Sequence, residues 1–279
     1  MLNKLTEVTY AQSIAEVQTT LKNVTGITLA AGCTEIARRQ TGRNLHLPSE
    51  VLALGRIPEL CSISKTERYV EFGAAVTLDA ILQLGRKNVP DVLYDAIKGI
   101  ANPGIRSLAT IGGNISAKGQ RLSAFAPLLA LDARLEIRTP GEASWIPMSR
   151  YFSNEGREAS REPDFISKIR IPTELWDVSI YQRLGAEGIV TTGTASFAFL
   201  AKFQKNILAD LRIAFAGKFF FRKKEFENLL IGRSLPLSMR DIMIIKEKAE
   251  LFFEESYFPP SLERSCIFNL LEEGLKTLT

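Results

Sequence analysis

Residues 101–114 have the sequence ANPGIRSLATIGGN, and residues 127–133 read PLLALDA. The Asn-Pro-Gly triplet at 102–104 interrupts the preceding helical pattern, because proline lacks a backbone N–H and glycine favours turns. The apolar run that follows leads into Gly112 and Gly113. Since glycine lets the main chain turn and approach a ligand without a Cβ clash, this pattern fits a backbone cradle for a phosphate. For a single Gly-Gly pair, an ordinary tight turn is the more common explanation.

A second glycine turn follows another apolar run, at residues 29–36. It consists of Leu29, Ala30, Ala31, Gly32, Cys33, Thr34, Glu35 and Ile36. We expect a strand over 27–31, then a short helix to Gln40 that Thr34 caps and whose positive end points at an anion. The hydroxyls of Thr34 and Thr110 provide further hydrogen-bond donors for such an anion. Neither turn matches GxGxxG, and the chain has no GxxxxGK[ST], so both interpretations stay open.

Composition narrows the class of protein. The chain has 279 residues, with 35 Lys and Arg against 31 Asp and Glu, and a formal net charge of +4. Roughly 150 residues per domain predicts two domains. The mild basic excess is spread along the sequence, so it gives no reason to expect nucleic acid. No apolar run of about 18 residues occurs, which argues against a membrane span, and residues 1–10 are too polar for a signal peptide.

Few side chains of the types that carry metal or nucleophilic chemistry occur. Cys33, Cys61 and Cys266 are widely spaced, with no CxxC, which favours a reducing cytoplasm and argues against an iron–sulfur or zinc site in this chain. The single histidine, His46, provides only one base for a Ser-His-Asp triad and no partner for a His-based metal site. We therefore expect a bound cofactor or another subunit to carry the chemistry.

The wider pattern predicts a mixed α+β chain. Before Pro172, strand and helix patterns alternate, with a strand at 69–73 and a helix capped by Thr77. After it, two long strand patterns meet at Lys205-Asn206 as in a hairpin, and helical patterns follow, which indicates a second domain from about residue 174. The other elements expected are strands at 51–54, 61–64, 134–138 and 166–171 and helices at 90–101, 123–131, 222–230, 238–254 and 260–275.

The stretch 101–114 together with 127–133 resembles the FAD-binding subunit of molybdenum hydroxylases, the family of xanthine dehydrogenase, aldehyde oxidase and carbon monoxide dehydrogenase medium subunits. Residues 29–36 look like the first FAD loop of that family, and 72–78 (FGAAVTL) resembles its recurrent "(I/F)GA-x-VTL" segment. Residues 56–60 also fit its pattern. The resemblance covers about residues 4–172 and continues more weakly through 175–277.

The resemblance implies an α+β fold: a two-subdomain FAD-binding domain of the vanillyl-alcohol-oxidase/PCMH type at 1–172, followed by a small α+β C-terminal domain at 174–279. It implies that both glycine turns wrap the FAD pyrophosphate and that Ile100 and Ile166 flank the flavin or its chain. No catalytic side chain and no metal ligand is expected in this chain. The cofactor-binding residues that the resemblance implies are Leu29, Ala30, Ala31, Gly32, Cys33, Thr34, Glu35, Ile36, Ile100, Thr110, Ile111, Gly112, Gly113, Asn114, Ser123, Ile166 and Gln182.

Three of these residues depart from the family pattern. Cys33 stands where the family usually has Gly or Asn, which adds a Cβ to the loop. Ser123 stands where an Asp usually binds the adenosine ribose, so the charge-assisted acceptor is lost. Gln182 falls where many relatives place a Lys near the flavin, and the neighbouring Arg183 is a candidate substitute. These changes bear on FAD affinity more than on the fold.

The function implied is electron transfer within a hetero-oligomer. A large subunit with the molybdenum cofactor hydroxylates the substrate, a small subunit with [2Fe–2S] centres relays electrons, and FAD in this chain passes them to NAD or another acceptor. Two alternatives stay open. One is a stand-alone FAD oxidoreductase, which needs a base near the flavin. The other is a non-catalytic scaffold that binds FAD weakly or not at all.

Overall fold

A computed structural model describes residues 6–40, 47–119, 121–153, 163–186, 188–255 and 262–279. His46 lies outside these ranges. The chain clusters into two compact units, the first formed by Met1–Asn88, Ala101–Ala117 and Asp132–Thr173. The second unit is formed by Val89–Ile100, Lys118–Leu131 and Glu174–Thr279. The segments Val89–Ile100 and Lys118–Leu131, which come from the first 172 residues, thus belong to the same unit as Glu174–Thr279. The domains at 1–172 and 174–279 stay a prediction.

The first unit begins with a parallel sheet in the order β1–β3–β2, made by Glu7–Tyr10, Glu50–Ala53 and Thr28–Ala30. Helix α1 (Ile14–Asn23) is capped by Ser13, whose hydroxyl accepts from the Glu16 N–H. The apolar face of α1 buries Val17 and Leu21 in a cluster with Leu52 of β3 and with residues that follow this strand, such as Leu54 and Ile57. Helix α2 (Thr34–Arg38) comes directly after β2.

The same unit contains an antiparallel sheet in the order β4–β5–β8–β6–β7. Its inner face is apolar, with Phe72, Leu135 and Ile169 fully buried. The strands are β4 Ile63–Lys65, β5 Tyr69–Gly73, β6 Arg134–Thr139, β7 Glu142–Pro147 and β8 Phe165–Pro172. A 3₁₀ turn (Pro58–Cys61) precedes β4. The helices of this part are α3 Leu78–Gln83, α5 Pro103–Arg106, α6 Ile111–Ser116 and α8 Met148–Phe152.

Two glycines of the first unit let main chain pack directly on main chain. A Cβ at Gly32 would lie 1.7 Å from the carbonyl oxygen of Leu108, and one at Gly112 would lie 2.6 Å from the carbonyl oxygen of Ala74. Because neither distance leaves room for a side chain, both positions require glycine. The approach of Gly32 to Leu108 brings the loop after β2 beside the segment that leads into α6.

The second unit is a sheet in the order β12–β11–β10–β9 with helices around it. Phe197, Phe199 and Phe215 fill the core between the sheet and the C-terminal helices. The strands are β9 Val178–Leu184, β10 Ala195–Gln204, β11 Ile207–Ala216 and β12 Phe220–Phe221. The helices are α4 Asp91–Lys98, α7 Phe125–Ala130, α9 Lys224–Glu227, α10 Met239–Glu255 and α11 Leu262–Lys276.

Several predicted elements are confirmed. The strand at Tyr69–Gly73 has the predicted bounds, the Thr77 hydroxyl caps α3 by accepting from the Ala80 N–H, and Lys205-Asn206 forms the hairpin turn with positive φ at both residues. Other expectations were wrong. Helix α4 ends at Lys98 and not at about 101. The strand expected at 61–64 begins only at Ile63, because Cys61 is the last residue of the preceding 3₁₀ turn.

Gly112 and Gly113 provide a matched pair of alanine substitutions. Gly112→Ala should lower the free energy of unfolding by about 2 kcal/mol, because its Cβ overlaps backbone that also anchors β8. Gly113→Ala should be close to neutral, because its Cβ meets only the Thr110 hydroxyl, at 3.0 Å. Urea unfolding of the two variants measures the difference. Equal stabilities would contradict the packing role assigned to Gly112.

Candidate functional site

The loop between β2 and α2 presents a row of open backbone donors. The N–H groups of Gly32, Cys33, Thr34, Glu35 and Ile36 make no hydrogen bond with any residue in the described ranges. All five residues are exposed or half-buried, so the row is open to a ligand. Successive unpartnered N–H groups at the start of a helix form a concave positive surface that suits an anion.

Cys33 gives this loop its shape and corrects one expectation. Thr34 was expected to cap the helix, but Cys33 occupies the cap position and Thr34 is the first helical residue. Cys33 has φ +56°, in the left-handed region that favours glycine, and its side chain makes no capping bond. A glycine would adopt this conformation without strain, whereas a residue with a Cβ pays a conformational cost.

The segment 110–114 is different, because its donors are already used. Gly112 and Gly113 lie in the first turn of α6 and not in a tight turn, and the Thr110 hydroxyl caps this helix. The N–H of Ile111 donates to Val76 O (3.0 Å), that of Gly112 to Ala74 O (2.9 Å), that of Gly113 to Thr110 Oγ1 (3.1 Å) and that of Asn114 to Thr110 O (2.9 Å). The open donors therefore belong to the first loop, and α6 is the support beside it.

The first unit brings most of the predicted residues into one neighbourhood. Gly32 lies against Leu108, which is two residues before Thr110. Ala74, which receives the Gly112 N–H, itself donates to the carbonyl of Ser167 in β8, next to the buried Ile166. The loop 29–36, the start of α6 and this part of β8 thus form a continuous series of contacts.

Charge at the first loop is balanced by an ion-pair cluster that the sequence analysis missed. Arg38 donates to both carboxylate oxygens of Glu35, each at 2.7 Å, and Arg39 donates to one of them at 2.8 Å. Burial raises the pKa of Glu35, but the two guanidinium groups outweigh burial and hold the pKa below its ordinary value. The acidic side chain is therefore neutralised beside the open N–H row. The sequence indicates this ion-pair cluster by the i, i+3 and i, i+4 spacing of Glu35, Arg38 and Arg39.

The other predicted residues belong to the second unit. Ile100 is half-buried after α4, Ser123 is buried in the turn before α7, and Gln182 is exposed on β9. Gln182 shares a strand face with Ile180 and Leu184, which pack on the core, whereas Tyr181 lies on the other face. The structure does not bring Gln182 to the Ser123 side of the sheet.

Arg183, considered as a substitute for the family lysine, is engaged in its own loop. Its guanidinium donates to the carbonyl oxygens of Gly185, Ala186 and Ile189. These bonds fix the start of the connection from β9 to β10. Because a guanidinium has five N–H donors, these three bonds hold the side chain in its own loop without using all of its donors.

The described ranges contain neither a metal-binding cluster of side chains nor a helix that could span a membrane. Within them, no three His, Cys, Asp or Glu side chains converge on a place that would hold a metal ion. Among the helices described, none combines the length and apolar character needed to cross a bilayer.

Replacing Cys33 by glycine tests the strain in the loop. Cys33→Gly should raise the free energy of unfolding by about 1 kcal/mol, because glycine adopts positive φ without a Cβ penalty. Cys33→Ala is the control, since it removes the thiol but keeps the Cβ, and it should bring no gain. Chemical denaturation measures both variants, and an equal effect of the two would show that backbone strain is absent.

The sequence is similar to those of known proteins. Residues 4–174 match the family model described as FAD binding domain in molybdopterin dehydrogenase. The xanthine dehydrogenase FAD-binding subunit of Escherichia coli O157:H7 is 23% identical over 170 residues, which cover 59% of this chain and 58% of that protein. The nicotine 6-hydroxylase medium subunit of Paenarthrobacter nicotinovorans is 27% identical over 198 residues, 68% of each chain.

The fold is shared with solved structures. A chain of carbon monoxide dehydrogenase from Hydrogenophaga pseudoflava aligns with a TM-score of 0.80, covering 100% of this chain and 97% of that one at 21% identity. At this identity the likeness shows the fold alone, and the family match covers well over half of the sequence. The chain therefore belongs to the family of FAD-binding domains found in molybdopterin dehydrogenases.

Proposed function

We propose that this chain is the FAD-binding electron-transfer subunit of a molybdenum-dependent hydroxylase or dehydrogenase. The observation that carries the proposal is the row of open N–H donors at Gly32–Ile36 beside the segment that leads into α6. In a chain of this family, that row is the natural place for the pyrophosphate of FAD. The other cofactor-binding residues named from the sequence belong to the same proposal.

The residues present fit this part of the cofactor. A pyrophosphate carries several acceptor oxygens, and successive N–H groups bind them without any side chain. Gly32 allows the loop to lie against Leu108, and Arg38 and Arg39 cancel the charge of Glu35, which would otherwise repel the anion. When bound, FAD supplies the capacity to accept electrons and pass them on. The chain's own groups bind and orient it.

The partners follow from the same assignment. We propose a large subunit with the molybdenum cofactor, a small subunit with [2Fe–2S] centres as electron donor, and NAD or another acceptor. Relatives named as a medium subunit and as a subunit of a dehydrogenase complex support an assembly of several chains. We further propose the two-subdomain PCMH-type domain at 1–172 and a cytoplasmic location, the latter because Cys33 and Cys61 are exposed free thiols.

Flavin binding tests the proposal directly. The purified chain should carry FAD at near one equivalent, seen in its visible spectrum and identified after heat release. With cofactor removed, added FAD should bind, and ADP should compete because it carries the diphosphate, whereas adenosine should compete poorly. A cooperatively folding, colourless chain that takes up no added FAD would overturn the proposal and favour the scaffold function. A stand-alone oxidoreductase would instead turn over a small molecule without partner subunits.

A further inference from the structure

The carboxylate of Glu35 is a competitor for the open N–H row, built into the same loop. Glu35 is the second residue of α2, and its own N–H belongs to the row. Burial raises the pKa of its carboxyl group, but the bonds from Arg38 and Arg39 hold that pKa below its ordinary value, so the group is ionised at neutral pH. An acidic side chain in the first turn of a helix can bend back and accept hydrogen bonds from the unpaired N–H groups there. It would then occupy the donors that a bound anion needs.

Two arginines bind this carboxylate at the other end of the helix. Arg38 donates through Nε to one carboxylate oxygen and through Nη2 to the other, and Arg39 Nε donates to the second of these oxygens. Arg38 is the last residue of α2 and Arg39 is its C-terminal cap, whereas the open N–H groups lie at its start. A two-pronged bond between a guanidinium and a carboxylate fixes orientation as well as distance. Both carboxylate oxygens are therefore engaged away from the row.

We propose that Arg38 and Arg39 are positioning residues that keep the Glu35 carboxylate off the open N–H row and so keep the row vacant for the pyrophosphate of FAD. This inference rests on the proposed function. Without the two guanidinium groups, the carboxylate accepts hydrogen bonds from the first turn of α2, and the ligand has to displace it before it binds. The arginines thus favour binding without touching the ligand.

Positioning differs from simple attraction between charges. Two guanidinium groups also attract an anion through space, and that attraction acts whether or not residue 35 carries a carboxylate. Positioning acts only through Glu35. The effect of removing the two arginines should therefore disappear once the carboxylate is removed as well, and the interaction energy of a variant cycle measures this dependence.

A cycle of variants tests the coupling. Dissociation constants for FAD are measured for the unchanged chain, Arg38→Ala/Arg39→Ala, Glu35→Ala and the triple variant. Both arginines are exposed, so the fold should tolerate their removal. The double arginine variant should bind FAD about tenfold more weakly, the size expected when a charge-assisted hydrogen bond competes with the ligand. In the Glu35→Ala background, the same two substitutions should have little further effect.

A matched control removes the same charge from another ion-pair cluster. Lys246 of α10 and Lys276 of α11 both pair with Glu272, much as the two arginines pair with Glu35. The variant Lys246→Ala/Lys276→Ala lowers the net charge of the chain by the same two units. It should leave the affinity for FAD unchanged.

Amide hydrogen exchange without ligand shows where the carboxylate lies. In ligand-free Arg38→Ala/Arg39→Ala, at least one amide of residues 33–36 should exchange more slowly than in the unchanged chain, because Glu35 accepts from it. The triple variant should lose this protection.

The outcomes separate this inference from the proposed function. Unchanged FAD affinity or unchanged amide exchange in the double arginine variant overturns the inference, and so does a loss of affinity that persists in the Glu35→Ala background. If the unchanged chain binds no FAD, the proposed function fails and this inference fails with it. FAD binding without coupling to Glu35 sinks this inference alone.

Discussion

The backbone of Gly32 lies against the carbonyl oxygen of Leu108 with no space for a side chain between them. This approach joins the loop after β2 to the segment before α6, and the N–H groups of residues 32–36 make no hydrogen bond within the described ranges. A similar contact, between Gly112 and Ala74, fixes α6 on the antiparallel sheet. The candidate site is thus a product of two backbone-on-backbone contacts more than of any reactive side chain.

The two glycine segments have different tasks, although their sequences look alike. In the segment at 110–114 the N–H groups are satisfied within the protein, so it is a rigid support. In the loop at 32–36 they are open, and the ion pairs of Glu35 with Arg38 and Arg39 remove the nearby negative charge. An anion site built from backbone donors on a fixed support needs little reorganisation when its ligand binds.

The sequence predicted the strand at Tyr69–Gly73, the cap at Thr77 and the hairpin at Lys205-Asn206, because each depends on local periodicity or turn chemistry. It did not predict α6, since a short stretch with two glycines has low helix propensity and is held by the cap at Thr110 and contacts to Ala74. Which backbone donors stay open depends on packing between distant segments, which no local pattern reveals.

Amide hydrogen exchange of the chain with and without FAD tests the central claim most directly, namely that the open N–H row binds the cofactor. Without FAD, the amides of residues 32–36 should exchange rapidly, while those of 111–114 should be slow because they are already hydrogen-bonded. With FAD, the amides of 32–36 should become protected and those of 111–114 should change little. Rates at 32–36 that are the same with and without bound FAD would contradict the account.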